Sequence, residues 1–496
     1  MPNDARHLLM IAYYFPPLGG GGTLRTLKFV RYLPEFGWRP IVLTVANSSY
    51  LALDEALVSQ IPIDTRVVRT PAFLPARFFR RSFSHSLENE SNFKQRKLLT
   101  AIRNVVYACA FIPDEFVGWY PFAVRAGLAQ IRRLTNVEKG PTDESCQRMK
   151  PSGSYPLAAF IRWDRKRFSG KDSTKQHDHH WQSHSSKRSF QDDNPGDCVI
   201  FSTSPPNTTH LIALRLAQRT GRPWVADLRD LWDMYPDSYN PFRWKWRSSL
   251  DDLLERKILS RADRIIVVSE EMRAHLLKKL PRLKPEKVLV ITNGFDPNDF
   301  EEIAHESPSK KFTIVHAGTL FPWRRLRPFL CALRILFEKR PEWQQHVRLN
   351  LIGLVPHEEQ IELRESGMDG ISEVLGYRPH RETLTHLISA DAQLLLVGEI
   401  PHADQMVTGK IFDYMGSGRP ILAIGPEGSS RRMVRQYHLG AEFGMNETER
   451  IATTLEHWIE QHRNGGLPLR RNVPAKFHRR EQAAALSMVL DGLQCD

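Results

Sequence analysis

The sequence has few cysteines, and none of them lie at a metal-binding spacing. Its 496 residues include five cysteines that are scattered along the chain and form no C-x-x-C pair. Zinc sites use closely spaced cysteines, and small secreted domains use paired ones as a disulfide framework. The sequence therefore favours neither kind of site and is consistent with a reducing cytoplasm.

A long apolar run is also missing. The N-terminal run LLMIAYYF is too short to cross a bilayer, which takes about 20 residues. It lacks a strongly basic flank, and it ends in PPLGGGG rather than at a small-residue cleavage site. We interpret it as a buried first strand.

The glycine-rich segment Gly19 to Gly22 lacks the dinucleotide fingerprint G-x-G-x-x-G, since a leucine or an arginine stands at the final position in either register. Two interpretations remain open. In the first, the segment is a backbone loop facing a cleft, where Gly20 and Gly21 contact a donor phosphate and Gly22 an acceptor. In the second, it is only a tight turn.

Length and charge bound the class of protein. A chain of 496 residues exceeds the size, about 250 to 300 residues, at which one core stops growing. The net charge of +13 is compatible with phosphorylated substrates, an acidic membrane face or nucleic acid. No recognised nucleic-acid motif is present and the basic residues are spread over the chain, so we predict no nucleic-acid partner.

The order of apolar runs predicts an α/β fold with two doubly wound, Rossmann-like parallel sheets facing a cleft. Strand, glycine turn, helix and strand follow one another at the N-terminus, where Thr23 is the expected helix cap. A second α/β pattern begins at FTIVHAGT. The predicted domains are residues 1–300, a linker at 301–311, residues 312–475, and a C-terminal helix at 476–496 that packs back on the first domain.

An insertion at about 138–194 is rich in Ser, Lys, Asp, His and Gln and poor in aliphatic residues. Such a composition buries too little apolar surface to offset the entropy of ordering. Its histidines have the ligand chemistry of a metal site, but their polar surroundings favour a solvated segment; they are His177, His179, His180 and His184. We predict no metal.

Residues 73–103 mix phenylalanines with arginines and lysines. This combination suits an anionic lipid surface. A basic solvated face over a few core aromatics is the alternative.

The most informative segment is HADQMVTGKIFDYMGSGRP, residues 402 to 420. It places Lys410, Asp413 and Gly418 at a short helix that runs into the apolar strand ILAI. A cation, a carboxylate and bare backbone amides at a helix N-terminus suit a diphosphate with a hydroxyl-bearing group attached. The pattern predicts a nucleotide-sugar ligand.

Polar residues close the predicted strand PWVADL, namely Asp227, Arg229 and Asp230. Because functional groups gather at the carboxyl ends of parallel strands, these residues are candidates for acceptor binding or catalysis. An internal salt-bridge cluster that holds a loop is the alternative. His210, on the helix before this strand, is predicted to be structural.

Several separated motifs resemble the GT-B glycosyltransferases of the large retaining family 4, and particularly its bacterial polysaccharide-assembly branch. They occur in the family's order and cover nearly the whole chain outside the insertion. The motifs are YYFPPLGGGGTLRTLKFVRYLPEFGWRPIVLT, STSPPNTTHLIALRLAQRTGRPWVADLRDLW, HAGTLFPWRRLRPFLCAL, LIG, VLGYRPH and TGKIFDYMGSGRPILAI.

The resemblance implies transfer of a sugar from a nucleoside diphosphate sugar to a hydroxyl of a saccharide or lipid-linked acceptor, with retention at the anomeric carbon. It places the acceptor on the first domain and the donor on the second. Arg324 and Lys410 would stabilise the leaving diphosphate, with the amides of Gly318 and Thr319 beside them. No cofactor or metal is then required. The expected setting is the cytoplasm or the inner face of the plasma membrane.

Two positions depart from the family pattern. Asp413 falls where a motif glutamate contacts the ribose, but the companion glutamate is replaced by Gln405, and Asp404 is the candidate substitute. The family lysine after the phosphate arginine is replaced by Phe329, a role that Lys410 would take over. These departures keep open an inactive nucleotide-sugar or glycan-binding protein on the same fold. A sugar-nucleotide epimerase is a further alternative.

Overall fold

The computed structural model describes most of the two predicted domains. The described residues are 6–46, 53–74, 111–136, 198–232, 245–301, 303, 310–400, 402–405, 407–469 and 473–494. The insertion with its histidines, the basic stretch after residue 74 and most of the predicted linker lie outside these ranges.

The first domain is built on a parallel sheet of seven strands in the order β3-β2-β1-β4-β5-β6-β7. The strands are β1 (Arg6–Ile11), β2 (Trp38–Val45), β3 (Arg66–Thr70), β4 (Cys198–Ser204), β5 (Trp224–Leu228), β6 (Arg264–Val267) and β7 (Val288–Val290). The order reverses between β1 and β4, and ligands of such sheets bind beyond the carboxyl ends of the strands at this point.

The second domain repeats this plan with six strands in the order β10-β9-β8-β11-β12-β13. The strands are β8 (Phe312–Ala317), β9 (Val347–Ile352), β10 (Ser372–Gly376), β11 (Ala392–Leu396), β12 (Ile421–Ile424) and β13 (Gly440–Phe443). Its order reverses between β8 and β11. The two sheets confirm the predicted α/β class.

Helices cover both faces of each sheet. They are α1 (Gly21–Tyr32), α2 (Tyr120–Asn136), α3 (Thr208–Thr220), α4 (Lys245–Arg261), α5 (Glu270–Lys279), α6 (Asn298–Glu301), α7 (Arg327–Lys339), α8 (His357–Glu365), α9 (His380–Ser389), α10 (Lys410–Ser417), α11 (Ser429–Gln436), α12 (Thr448–Arg463) and α13 (Arg479–Asp491). Within the described ranges, none of them has the length and apolar composition that crossing a bilayer requires.

Strand β1 shows why the sheet is buried on both sides. Leu9 and Ile11 pack into the core on one face, while Leu8 and Met10 pack into the core on the other. Successive side chains of a strand point to opposite faces, so a strand covered on both sides reads as a continuous apolar run.

Helix α13 packs on the first domain although it follows the second in sequence. Its apolar residues Ala483, Leu486 and Leu490 are fully buried in the same core as Leu8 and Met10 of β1. The chain therefore crosses back between the domains at its C-terminal end.

The start of α1 differs from the sequence prediction. Thr23 was the expected cap, but the helix begins at Gly21, and Gly20 precedes it with a φ of 86°. The Thr23 hydroxyl instead lies within the helix and donates to the Gly19 carbonyl at 3.4 Å. Glycine reaches this backbone conformation without a steric penalty, so the glycine run itself makes the turn into the helix.

The two domains also meet beside α5. Glu271 of this helix forms an ion pair with Arg432 of α11, with 2.8 Å between the carboxylate oxygen and the guanidinium nitrogen. Ser269, at the N-cap of α5, donates to the carbonyl oxygen of Gln405 at 3.5 Å. The predicted donor loop of the second domain therefore touches the first domain.

Candidate active site

The candidate site of the second domain lies on the loop that follows β8. Gly318 has a φ of 124°, in the region that favours glycine. Its amide donates to the Ile352 carbonyl at 2.7 Å, and the Leu320 amide donates to Leu354 at 3.0 Å. Among the described residues no hydrogen bond uses the Thr319 amide, whereas the Gly318 amide already has a partner.

Gly318 also makes room for a side chain. A Cβ atom at this position would lie 2.2 Å from Cε and 2.6 Å from Nζ of Lys410. The lysine thus runs directly over the glycine backbone. This close approach brings the loop after β8 and the start of α10 together.

Lys410 is the first residue of α10 and is half-buried. Its ammonium donates to Nε2 of His316 at 3.2 Å and forms no ion pair with a carboxylate in the described part of the chain. Burial, together with the positive charge of Arg324 nearby, lowers the pKa of Lys410 well below its usual value. A lysine in this situation gains most from a bound anion, because the anion favours its charged form.

Arg324 is the inward-facing arginine of its loop. It is 8% exposed, whereas the side chains of Arg325 and Arg327 are 40% and 72% exposed and pair with Glu359 and Glu362. The buried guanidinium of Arg324 donates to the Thr319 carbonyl at 3.4 Å.

An aromatic pair precedes Arg324. The rings of Phe321 and Trp323 stack with centroids 5.0 Å apart, and the Arg324 guanidinium lies 5.7 Å from the Phe321 ring centroid. Cations favour the faces of such rings. The stack therefore helps to hold the arginine beside Lys410.

Asp413 lies one turn into α10 and is engaged by a histidine. Its carboxylate lies 3.6 Å from Nε2 of His380, at the start of α9. Burial opposes the charge on this histidine, but the close contact with Asp413 and its negative charge raise the pKa of His380 above its usual value. The carboxylate predicted to contact a ribose thus has a partner within the protein.

The loop with Asp404 and Gln405 lies between β11 and α10. The Asp404 side chain is exposed, and its carbonyl accepts from the Ser429 hydroxyl at 2.8 Å. Gln405 is half-buried, and its amide nitrogen lies 3.4 Å from Nδ1 of His402. Asp404 therefore presents its carboxylate to solvent.

The glycine loop of the first domain lies at the carboxyl end of β1. Gly20 and Gly21 are exposed, and a Cβ atom at Gly21 would meet open space. Gly22 differs, since its carbonyl accepts a hydrogen bond from Arg229. The exposed part of the loop remains available to a ligand, and its last glycine is tied to the sheet.

Arg229, at the end of β5, donates hydrogen bonds to three backbone carbonyl groups. Besides the Gly22 carbonyl, it donates to the carbonyl oxygens of Ser204 at 2.8 Å and Pro205 at 3.0 Å. Burial lowers its pKa, although the charges of Asp227 and Asp230 oppose this shift. The guanidinium is thus committed to backbone, and it positions the glycine loop.

Asp227 is fully buried and paired with an arginine that the sequence analysis did not single out. Arg25 of α1 donates to both carboxylate oxygens, at 3.1 and 2.8 Å, and the Thr203 hydroxyl donates at 2.7 Å. Arg25 also donates to the Ile291 carbonyl after β7. The arrangement matches the salt-bridge alternative for Asp227.

Two further residues are structural in this fold. His210 is fully buried with Nδ1 2.8 Å from the Ser202 hydroxyl, and burial lowers its pKa to about 4. Phe329 is 0% exposed in the core of the second domain.

His316 was not singled out in the sequence, although it lies in the quoted run FTIVHAGT. A polar residue within an apolar strand, close to its carboxyl end, was the signal that could have indicated it. In the parts of the chain that the structure describes, no three His, Cys, Asp or Glu side chains are grouped to hold a metal ion.

Comparison with known proteins gives two kinds of likeness. Residues 187–294 match the family model described as a glycosyl transferase 4-like domain. No curated protein sequence matches the chain.

Solved structures resemble the chain over nearly its full length. A glycosyltransferase from Rickettsia africae is 11% identical with a TM-score of 0.51, and the match covers 99% of this chain and 96% of that one. The sucrose-phosphate synthase of Thermosynechococcus elongatus is 12% identical with a TM-score of 0.50 and the same two coverages. WaaG, a glycosyltransferase involved in lipopolysaccharide biosynthesis, is 10% identical with a TM-score of 0.50, covering 98% and 97%.

These findings confirm the predicted GT-B fold and the resemblance to family 4-like glycosyltransferases. The solved structures show the fold. The family model adds a likeness to a glycosyl transferase 4-like domain over residues 187–294 of the first domain.

Proposed function

We propose that this protein is a retaining glycosyltransferase that moves a sugar from a nucleoside diphosphate sugar to a hydroxyl of a saccharide or lipid-linked acceptor. The observation that carries the proposal is the juxtaposition of Lys410 and Arg324 beside Gly318 at the carboxyl end of β8. Two cations held close together in a partly desolvated place repel each other, and a doubly charged anion relieves that repulsion.

The chemistry of transfer uses such a site. As the bond between the anomeric carbon and the diphosphate breaks, negative charge grows on the diphosphate oxygens. Cations aimed at those oxygens stabilise the transition state more than the bound donor, and this difference is what accelerates the reaction. We propose that Arg324 and Lys410 supply this charge and the Thr319 amide a further donor, without a resident metal or cofactor.

The acceptor side is the glycine loop of the first domain. Gly20 and Gly21 expose backbone beyond β1, at the edge that faces the cleft in a protein of this fold. Arg229 holds the loop through Gly22. We propose that this backbone contacts the acceptor or the donor phosphate, and that Asp230 lies beside it.

A surface of the first domain supports a membrane-linked acceptor. Phe73 is 68% exposed and Phe122, in the first turn of α2, is 40% exposed. Further along the helix, Arg125, Arg132 and Arg133 are also exposed. Exposed aromatic rings beside arginines favour an anionic lipid surface. We propose a cytoplasmic enzyme that contacts the inner membrane face during surface glycan assembly.

The first test is a thermal-shift panel of UDP, GDP, ADP, dTDP and CMP sugars with the wild type and with Lys410→Ala. A ligand at a hundred times its dissociation constant adds about 2.7 kcal/mol to the free energy of unfolding. A shift with one nucleotide class that is lost in Lys410→Ala supports the donor site. NMR of the product anomer then tests retention, and full transfer in EDTA tests the metal-free chemistry.

Two outcomes would favour the alternatives. Binding with neither transfer nor hydrolysis, over a broad acceptor panel, indicates an inactive binding protein. A changed sugar nucleotide formed without acceptor indicates an epimerase.

A further inference from the structure

His316 lies in the middle of the site, and both of its ring nitrogens are engaged. The residue is on β8 and is 0% exposed. Its Nδ1 lies 2.8 Å from the carbonyl oxygen of Leu394 on β11, and its Nε2 lies 3.2 Å from Nζ of Lys410. The imidazole therefore bridges the two strands at the switch point and the start of α10.

The partners of the ring define its tautomer. A carbonyl oxygen only accepts hydrogen bonds, so Nδ1 carries the proton that it donates to Leu394. Nε2 then has a lone pair directed at the ammonium of Lys410, which donates to it. In the opposite tautomer, the lone pair of Nδ1 would face the lone pairs of the Leu394 carbonyl oxygen. The N–H of Nε2 would face an N–H of the Lys410 ammonium.

The surroundings keep the ring neutral. Burial lowers the pKa of His316 well below its usual value, and the positive charges of Lys410 and Arg324 lower it further. The carbonyls of Leu394 and Gly318 act in the opposite direction. A neutral ring is the form that can accept from a lysine.

A second residue of α10 also connects this helix to β8 and β11. Tyr414, one turn after Lys410, accepts from the Ala317 amide at 2.9 Å and donates to the Leu394 carbonyl at 3.3 Å. Gly318 packs against the stem of Lys410, and His316 contacts the ammonium at the end of that side chain.

We propose that His316 is a positioning residue that holds the ammonium of Lys410 where the diphosphate of the donor binds and leaves. The inference rests on the proposed function, because it concerns the same anion site. An ammonium has three N–H donors, so one is used by His316 and two remain for diphosphate oxygens. A preset lysine binds the anion without first losing rotamer freedom.

The test replaces His316 by two amide side chains of different length. In His316→Asn the short amide can replace Nδ1 at the Leu394 carbonyl but does not reach Lys410. In His316→Gln the longer side chain places its oxygen where Nε2 lies. Isothermal titration with UDP, GDP, ADP and dTDP gives the dissociation constant of each variant for the diphosphate that the wild type binds.

We expect His316→Asn to weaken binding about tenfold or more, which is the scale of a lost hydrogen bond to a charged group. His316→Gln should recover most of that loss. The control is His462→Asn, the same change at a half-buried histidine whose Nδ1 contacts Asp391 in the same domain, and it should leave binding unchanged. In a Lys410→Ala background, the His316 variants should have no further effect.

Failures of the two ideas look different. If the wild type binds a diphosphate and His316→Asn binds it as His462→Asn does, the inference is overturned and the proposed function stands. The same holds if the His316 and Lys410 effects add independently. If the wild type binds none of the diphosphates, the proposed function fails and the inference falls with it.

A measurement without variants covers the case in which His316→Asn does not fold. The ¹⁵N shifts of the His316 ring in the wild type report its tautomer. A proton on Nδ1 is expected at neutral pH. A proton on Nε2, or a charged ring, would overturn the inference.

Discussion

Asp54 of the first domain accepts a hydrogen bond from the backbone amide of His380 in the second domain, with 2.8 Å between oxygen and nitrogen. His380 begins α9, so the carboxylate lies at a helix N-terminus, where negative charge is favourable. Asp54 is 2% exposed. The domains are thus joined by this contact as well as by the ion pair of Glu271 and Arg432.

Asp54→Ala should loosen the domain contact. Replacing a carboxylate at a helix N-terminus by alanine costs about 1 kcal/mol, so we expect a lower melting temperature and a larger radius of gyration by small-angle scattering. Asp54→Asn keeps an acceptor and should change both less. Asp64→Ala, an exposed aspartate on the same segment, is the control, and equal effects of the two alanine variants would contradict the prediction.

The contact between His380 and Asp413 should make stability depend on pH. The raised pKa of His380 means that its ring keeps its second proton to a higher pH in the folded chain than in the unfolded chain. Histidines of an unfolded chain have a pKa of about 6.5. The stabilisation is complete below that unfolded value and is lost as the pH rises through the folded pKa.

Asp413→Asn removes this contribution. The melting temperature of the wild type should exceed that of the variant by more at about pH 6 than at about pH 9. The charges of Asp299 and Lys28 also act on His380, and they are present in both proteins. A difference that stays constant or grows with pH would rule out this source of stability.

Lys410→Ala should lower turnover far more than Asp413→Asn. Removing a charge that stabilises the leaving group costs roughly a hundredfold in kcat, whereas a residue that only helps to bind the donor mainly raises KM. Steady-state kinetics with saturating donor separates the two. Small and equal losses in both variants would refute the role given to the lysine.

Gly318→Ala should displace Lys410. The added Cβ would lie 2.2 Å from the lysine Cε, and a φ of 124° is strained for alanine. We expect loss of nucleotide affinity together with lower stability. Gly370→Ala, in the same domain with open space around the added atom and no positive φ, should change neither; nucleotide affinity that survives Gly318→Ala would speak against the close packing.

Asp227→Ala should act on stability before activity. It leaves Arg25 buried without its carboxylate, and breaking a buried ion pair costs about 3 to 5 kcal/mol. Denaturant unfolding measures this loss of stability in Asp227→Ala. The same change at the half-buried Asp230, at the other end of the motif, is the comparison. A stable, inactive Asp227→Ala protein would instead support a catalytic aspartate.

The elements that the sequence did not predict have clear physical reasons. Strand β3 (Arg66–Thr70) is an edge strand with two arginines in RVVRT, so it lacks the continuous apolar run of the central strands. Strand β13 (Gly440–Phe443) has only one fully buried residue. Edge strands are half-covered, and periodicity distinguishes them poorly from loops.

The sequence by itself determined the two α/β domains, the glycine loop, the family resemblance and the choice of Arg324 and Lys410, because apolar periodicity, glycines and motif order are local properties. Only the tertiary structure decided which charges are free for a ligand. Arg25 and Asp227 are 202 positions apart, and His316 and Lys410 are 94 apart. Such pairs meet because parallel strands end at the same edge of a sheet. Burial there gives one aspartate an internal partner, and it leaves one lysine without a carboxylate partner among the described residues.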